Sequence, residues 1–210
     1  MTEIILVRHG ETAWNFSEVF RGQLDVELND TGIRQAELLA EYSRHFNLDA
    51  VYSSPLKRAR QTAEPLAGYH NLAVRVEDGL IDLDFGEWQG LSLKEVSEKY
   101  AELYARWVEN PQQAIIPGGE SLDAVRQRAS GVVHDVLSKH GGNIVLVSHR
   151  VVNKVLICAL LGVDNSHFWN FRQDTCGTTR FTYENGRFIL TGHNDTSYLS
   201  PLQRVKLNDF

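Results

Sequence analysis

The chain has 210 residues, 42% of them hydrophobic and 23% charged, with a formal net charge of −6; this suits one domain, taken as residues 1–210, with a substantial core. The acidic balance excludes a broad nucleic-acid or anionic-membrane surface, no run reaches the roughly 18 apolar residues of a membrane span, and no leader is expected before the first strand. Cys158 and Cys176 have no CxxC spacing, which argues against structural zinc and a disulfide framework and suits reduced thiols in the cytoplasm.

The first predicted element is Ile4-Ile5-Leu6-Val7, an unbroken apolar run that ends in Arg8, His9 and Gly10. Such a run suits a strand covered on both faces, and ligands of parallel sheets bind beyond the carboxyl ends of the strands. Glu11 to Leu28 is polar and irregular, a long loop that holds Asn15, Arg21, Gly22 and Asp25. Asn29 or Asp30 caps a helix over Thr31–Phe46. Ala50–Ser53 is a short strand. Ser54-Pro55 then starts a helix with proline in its first turn, Arg58 follows in that turn, and Pro65 ends or kinks the helix. Ala73–Val76 reads as a strand.

Gly79 to Gly90 is a glycine-bounded loop carrying Asp82, Asp84 and Glu87. Ser92 and Glu95 match a capping box that opens a helix toward Trp107. A loop over Pro111–Gly119 leads to Leu122, Val125, Ala129, Val132 and Val136, whose spacing predicts an amphipathic helix ended by Gly141-Gly142. The opening pattern then returns as Ile144-Val145-Leu146-Val147-Ser148-His149. If the two strands are parallel neighbours, their histidines fall on the same side of the sheet edge. A helix over Val151–Leu161 stops at Gly162, and two strands flank Asn185-Gly186, a hairpin signal. Strands alternating with helices predict an α/β sandwich with a mainly parallel sheet and a hairpin at one edge.

Arg8, His9, Arg58 and His149 thus collect at strand ends, with a carboxylate from Asp82 or Asp84. Arginine's planar fork matches phosphate oxygens, so a phosphoryl group is the natural guest of such a pocket. A histidine among cations loses its proton readily and can act as a nucleophile, while a nearby carboxyl protonates the leaving oxygen. No Walker motif and no HxH or HExxH spacing is present, so neither a P-loop nucleotide site nor a metal is expected.

LVRHGE with Thr12 and Asn15, SSPLKRARQTA, DFGEWQG, PGGES and VSH, in that order, resemble the histidine phosphatase superfamily, which includes the cofactor-dependent phosphoglycerate mutases. The resemblance implies a three-layer α/β/α sandwich and a metal-independent phosphomonoesterase that needs no cofactor. It implies His9 as the residue that becomes phosphohistidine, with Arg8, Arg58 and the supporting cation His149 as the phosphate pocket and Asn15 behind it. Asp82 lies where the family commonly has a glutamate as proton donor, and is preferred over Asp84. Arg150 stands where many members have glycine, and Arg21-Gly22 lies in a loop near the substrate. Of the tryptophans, Trp88 has the best claim to the site. His193 and Tyr198 are candidates to close over it.

The expected ligand is a small phosphorylated metabolite. Phosphoserine leads, with ribazole phosphate, sugar phosphates and phosphoglycerate derivatives open. A phosphoglycerate mutase is the alternative, disfavoured by the short span from Leu91 to Pro117. A catalytically weak phosphate-binding module is disfavoured by the intact residue set. A homodimer is possible.

Overall fold

The computed structural model describes residues 1–15, 19–200 and 202. Part of the expected loop between Glu11 and Leu28 and most of the tail after residue 200 lie outside them. Six strands are described: β1 (Thr2–Arg8), β2 (Leu48–Ser53), β3 (Val74–Val76), β4 (Asn143–Ser148), β5 (Thr178–Glu184) and β6 (Arg187–Asp195). They form one sheet in the order β3-β2-β4-β1-β5-β6. The β1, β2, β3 and β4 pairings are parallel, whereas β5 and β6 are antiparallel. The helices are α1 (Asp30–Ser43), α2 (Lys57–Tyr69), α3 (Leu93–Lys99), α4 (Ala101–Glu109), α5 (Leu122–Lys139) and α6 (Arg150–Leu160).

The central strands are apolar throughout because each face has its own helices. Ile5, Val7, Val51, Val145 and Val147 pack with Leu39 and Ala40 of α1 and Ala59, Ala63 and Leu66 of α2. Ile4, Leu6, Tyr52, Ile144 and Leu146, one residue out of phase and so on the opposite face, pack with Val125, Ala129 and Val133 of α5 and Val152, Val155 and Leu156 of α6. Each of these aliphatic side chains contributes roughly 1.5–3 kcal/mol relative to exposure. This is the expected α/β sandwich. The hairpin turn has φ +50 at Asn185 and +76 at Gly186, the paired left-handed residues that fit a twisted two-stranded ribbon.

Several expectations needed correction. Of the two outcomes expected at Pro65, an end or a kink, the end does not occur: α2 continues to Tyr69. The lost bond to the Gln61 carbonyl is offset by burial of Leu66 and Ala67, and the chain turns at Asn71, where φ is +55. Proline is not in the first turn either. Leu56 is the N-cap of α2, without a side-chain cap bond. The capping box of Ser92 and Glu95 is present, but its helix stops at Tyr100, whose backbone is not helical, and α4 resumes from there. Helix α5 ends before the glycines, with His140 as C-cap. Among the described residues no helix is long and apolar enough to cross a membrane.

Candidate active site

The register of β1 and β4 brings the two strand-end histidines together. Val7 lies opposite Val147 and Arg8 opposite Ser148, and the pairing runs one step further, where His9 N donates to the Ser148 carbonyl at 2.9 Å. The two imidazole centroids are 5.2 Å apart. His9 Nδ1 lies 2.7 Å from the Gly10 carbonyl oxygen. A carbonyl only accepts, so Nδ1 carries the proton and Nε2 carries the lone pair. His149 Nε2 lies 2.7 Å from Ser54 Oγ, which also accepts from Leu56 N. All three groups are satisfied when the Ser54 hydroxyl donates to Nε2 and Nδ1 is protonated. That Nδ1 is buried, has no hydrogen-bond partner among the described residues and lies 3.6 Å from Asp82 Oδ2.

Guanidinium groups surround this pair. Arg58, in the first turn of α2, is fully buried and donates to the carbonyls of Leu24 and Gly22, each at 2.8 Å, and to Asp82 Oδ2 at 3.1 Å. Gly22 turns its carbonyl inward from a φ of +51, where L side chains are strained. Arg8 donates to the Gln173 carbonyl. The pocket above is lined by Arg8, His9, Phe20, Arg21, Asp82 and Arg150, among others. Arg21 Nη1 is buried with no hydrogen-bond partner among the described residues.

So much positive charge in one buried place shifts its members. Burial, with Arg8, Arg150 and Arg58, pushes the Arg21 pKa down to about 9. Burial, then Arg58, Arg8 and Arg21, holds His9 well below 6.5. His149 is lowered likewise, by burial first and then by Arg58 and His9. Burial first, and then the nearby arginines, oppose the charge that the supporting-cation role of His149 calls for while no anion is bound. The site demands an anion.

The two candidate carboxylates have different surroundings. Asp82 accepts from Leu83 N at 2.9 Å through Oδ1 and faces Arg58 and His149 through Oδ2. Asp84 turns its Oδ1 to Gly86 N at 2.8 Å, within its own loop. Asn15 does not reach the other site residues by any described bond; its Oδ1 accepts from the Thr12 backbone N and hydroxyl. Trp88 is fully buried among Phe20, Tyr100 and Trp107 and is core, not pocket. Tyr198 stacks on Tyr42 of α1 at 4.5 Å and donates to the Cys176 carbonyl, and His193 packs on Phe171. Neither lines the pocket. Among the described residues no group of three or more His, Cys, Asp or Glu could hold a metal ion.

Sequence reading missed several members. Ser54, read as a helix cap, orients His149. Thr62 accepts from Gly10 N at 2.9 Å and donates to the Arg58 carbonyl at 2.7 Å, which ties α2 to the loop after β1. Gln173 contributes its backbone carbonyl to Arg8, for which no residue pattern exists.

Comparison with known proteins gives concordant results. A family model described as the histidine phosphatase superfamily, branch 1, matches residues 4–196. Phosphoserine phosphatase 1 of Hydrogenobacter thermophilus is 42% identical over 200 residues, 95% of each chain. Among solved structures, Bacillus stearothermophilus YhfR superposes with a TM-score of 0.90 at 27% identity, covering 95% of this chain and all of that one. A phosphoserine phosphatase mutant from Entamoeba histolytica, in complex with phosphoserine, superposes with a TM-score of 0.85 at 31% identity, covering 95% of this chain and 100% of that one.

Proposed function

The chain belongs to branch 1 of the histidine phosphatase superfamily and is a phosphatase; on that footing we propose that it hydrolyses phosphoserine or a close relative through a phosphohistidine on His9. The observation that carries the reading is the 2.7 Å contact between His9 Nδ1 and the Gly10 carbonyl oxygen. With Nδ1 bonded to Gly10 O, the Nε2 lone pair is available in a pocket ringed by guanidinium groups. That is a nucleophile placed where a phosphoryl group would bind.

In the first step the Nε2 lone pair forms a bond to phosphorus in line with the leaving oxygen. The P–O bond to the alcohol breaks, and Asp82 gives its proton to that oxygen. Arg8, Arg58 and the Nδ1–H of His149 stabilise the equatorial oxygens, where electrostatic positioning does most of the work of phosphoryl transfer. In the second step water attacks phosphorus, its proton goes to the Asp82 carboxylate, and the P–N electrons return to Nε2. Inorganic phosphate leaves and the starting state is restored. The proton that Asp82 gives up in the first step is the one it regains from water in the second.

The substrate assignment rests on two supports. Relatives from Hydrogenobacter and Entamoeba that match nearly the whole chain carry the name phosphoserine phosphatase. In addition, Arg21 and Arg150 line the pocket beyond the phosphate-binding pair, which suits an ester with a carboxylate close to its phosphate. The test is a panel of phosphate esters scored by kcat/KM, with rapid acid-free quenching to trap labelled protein. Phosphoserine should rank first and label should sit on histidine. Preference for a neutral sugar phosphate would overturn the substrate, and absence of a phosphoprotein would overturn the pathway.

A further inference from the structure

The loop that carries Asp82 is held by a pair of residues that do not line the pocket. Arg128, on α5, donates through Nη1 to the carbonyls of Gly79 at 2.9 Å and Ile81 at 2.6 Å, and through Nη2 to the carbonyl of Asp82 at 3.1 Å. The same guanidinium grips Glu120 along its Nε–Nη2 edge, Nε to Oε1 at 2.8 Å and Nη2 to Oε2 at 2.9 Å. Glu120 in turn reaches the far side of the loop. Its Oε2 accepts from Asp84 N at 3.2 Å, and its own N donates to Asp84 O at 2.9 Å. The pair therefore brackets Asp82, with three carbonyls held on one side and the Asp84 peptide on the other.

The neighbouring sequence is shaped for this contact. Gly86 has φ +46, and a Cβ there would lie 2.2 Å from the Pro117 carbonyl; a Cβ on Gly119 would lie 2.5 Å from the Asp84 carbonyl. Two backbones thus approach more closely than any side chain permits, and Ser121 then caps α5. PGGES is in this reading the brace of the Asp82 loop. A planar fork with donors on three nitrogens is needed to bind one carboxylate and three carbonyls at once; an ammonium cannot do so.

We propose that the Arg128–Glu120 pair is the positioning device for Asp82 and governs proton delivery to the leaving oxygen without touching substrate. The inference rests on the assignment of Asp82 as proton donor. It implies a leaving-group signature. An alkyl ester departs as an alkoxide and needs the proton, whereas p-nitrophenolate departs without one. kcat/KM covers the steps through formation of the phosphoenzyme, so it isolates this first transfer from the later attack of water.

The experiment measures kcat/KM for phosphoserine and 2-glycerol phosphate against p-nitrophenyl phosphate in the full chain. The variants are Arg128→Lys, Glu120→Gln, Asp82→Asn and the double variant of Arg128→Lys with Asp82→Asn, each checked by its heat-unfolding midpoint. Arg128→Lys should lose on the order of 10- to 100-fold on the alkyl esters, the scale of a misplaced general acid, and less than about threefold on p-nitrophenyl phosphate. Glu120→Gln, which keeps the shape of the side chain, should show the same selectivity at smaller size, and serves if Arg128→Lys fails to fold. Adding Arg128→Lys to Asp82→Asn should cost little more on alkyl esters, because both changes act on one proton. Equal losses on both ester types, or additive losses in the double variant, would overturn the positioning role. If Asp82→Asn itself shows no alkyl selectivity, the donor assignment fails first, and the inference with it.

Discussion

The imidazole of His9 lies 5.2 Å from that of His149, yet the two are tied to different partners, Gly10 O and Ser54 Oγ. One ring keeps a lone pair and the other presents an N–H. The proposed roles are therefore separable by mutation. His9→Ala should abolish turnover and the acid-labile phosphoprotein together. His149→Ala should lower kcat by roughly 10²–10³-fold, the scale for losing one donor to a developing charge, while label on His9 still forms. A labelled His9→Ala protein would reverse the assignment.

The depressed histidines set a pH dependence of stability. In the unfolded chain His9 and His149 bind protons near pH 6.5, and in the folded protein burial and the arginines oppose this. Below that pH the unfolded state binds more protons, so folded stability falls as pH falls from about 6.5 toward the folded values and is fully present above 6.5. The slope should be on the order of 1 kcal/mol per pH unit for each histidine. Urea unfolding of the ligand-free protein between pH 5 and 8, roughly the histidine range, measures it. Burial lowers His193 too, so His9→Asn or His149→Asn should each remove a substantial part of the slope but not half of it. An unchanged slope would mean that neither group is held neutral.

How much of this was legible in the sequence depends on what each feature is made of. The β1 and β4 strands share one residue pattern, so the pairing of His9 with His149 could be read from the chain alone. Arg58 followed from the helix that leaves β2. Ser54 could not be read this way: its hydroxyl suits a helix cap, and only the packing of β2 beside β4 turns it to His149. Arg8 binds a backbone carbonyl at Gln173, which leaves no mark in side-chain chemistry. Arg128 looks like one polar position of an amphipathic helix until the Gly79–Asp82 carbonyls are placed over it. Pro65 stands inside α2, so the helix end that it also allowed did not occur there.

Gly32 is the next point of strain. A Cβ there would lie 2.1 Å from the Glu11 carbonyl oxygen, on the loop that follows His9 and Gly10. Alanine gains about 1 kcal/mol of helix propensity over glycine. Here the obstacle is backbone, which moves only by dragging Gly10, the acceptor of His9 Nδ1–H. The clash should win: Gly32→Ala should lose roughly 1–3 kcal/mol, with a lower Tm and lower kcat. Gly68, near the end of α2, has nothing within 4 Å of the place a Cβ would take, so Gly68→Ala should raise stability by roughly 0.5–1 kcal/mol. Calorimetry on both variants checks the sign of each.

Arg21 separates recognition of the substrate from the chemistry. It lines the pocket and has a buried Nη1 without a hydrogen-bond partner among the described residues, and a guanidinium under that much like-charge pressure gains most from an added anion. If it takes the carboxylate of the ester, Arg21→Gln should lower kcat/KM for phosphoserine by roughly 10- to 100-fold, the range for one charge-assisted hydrogen bond. The loss should fall mainly on KM, and p-nitrophenyl phosphate, which has no carboxylate, should change by less than about threefold on the same reasoning. An equal loss on both esters would place Arg21 on the phosphoryl group instead. No loss on either would remove it from the binding site, and Arg150→Gly would then become the variant that decides where the carboxylate binds.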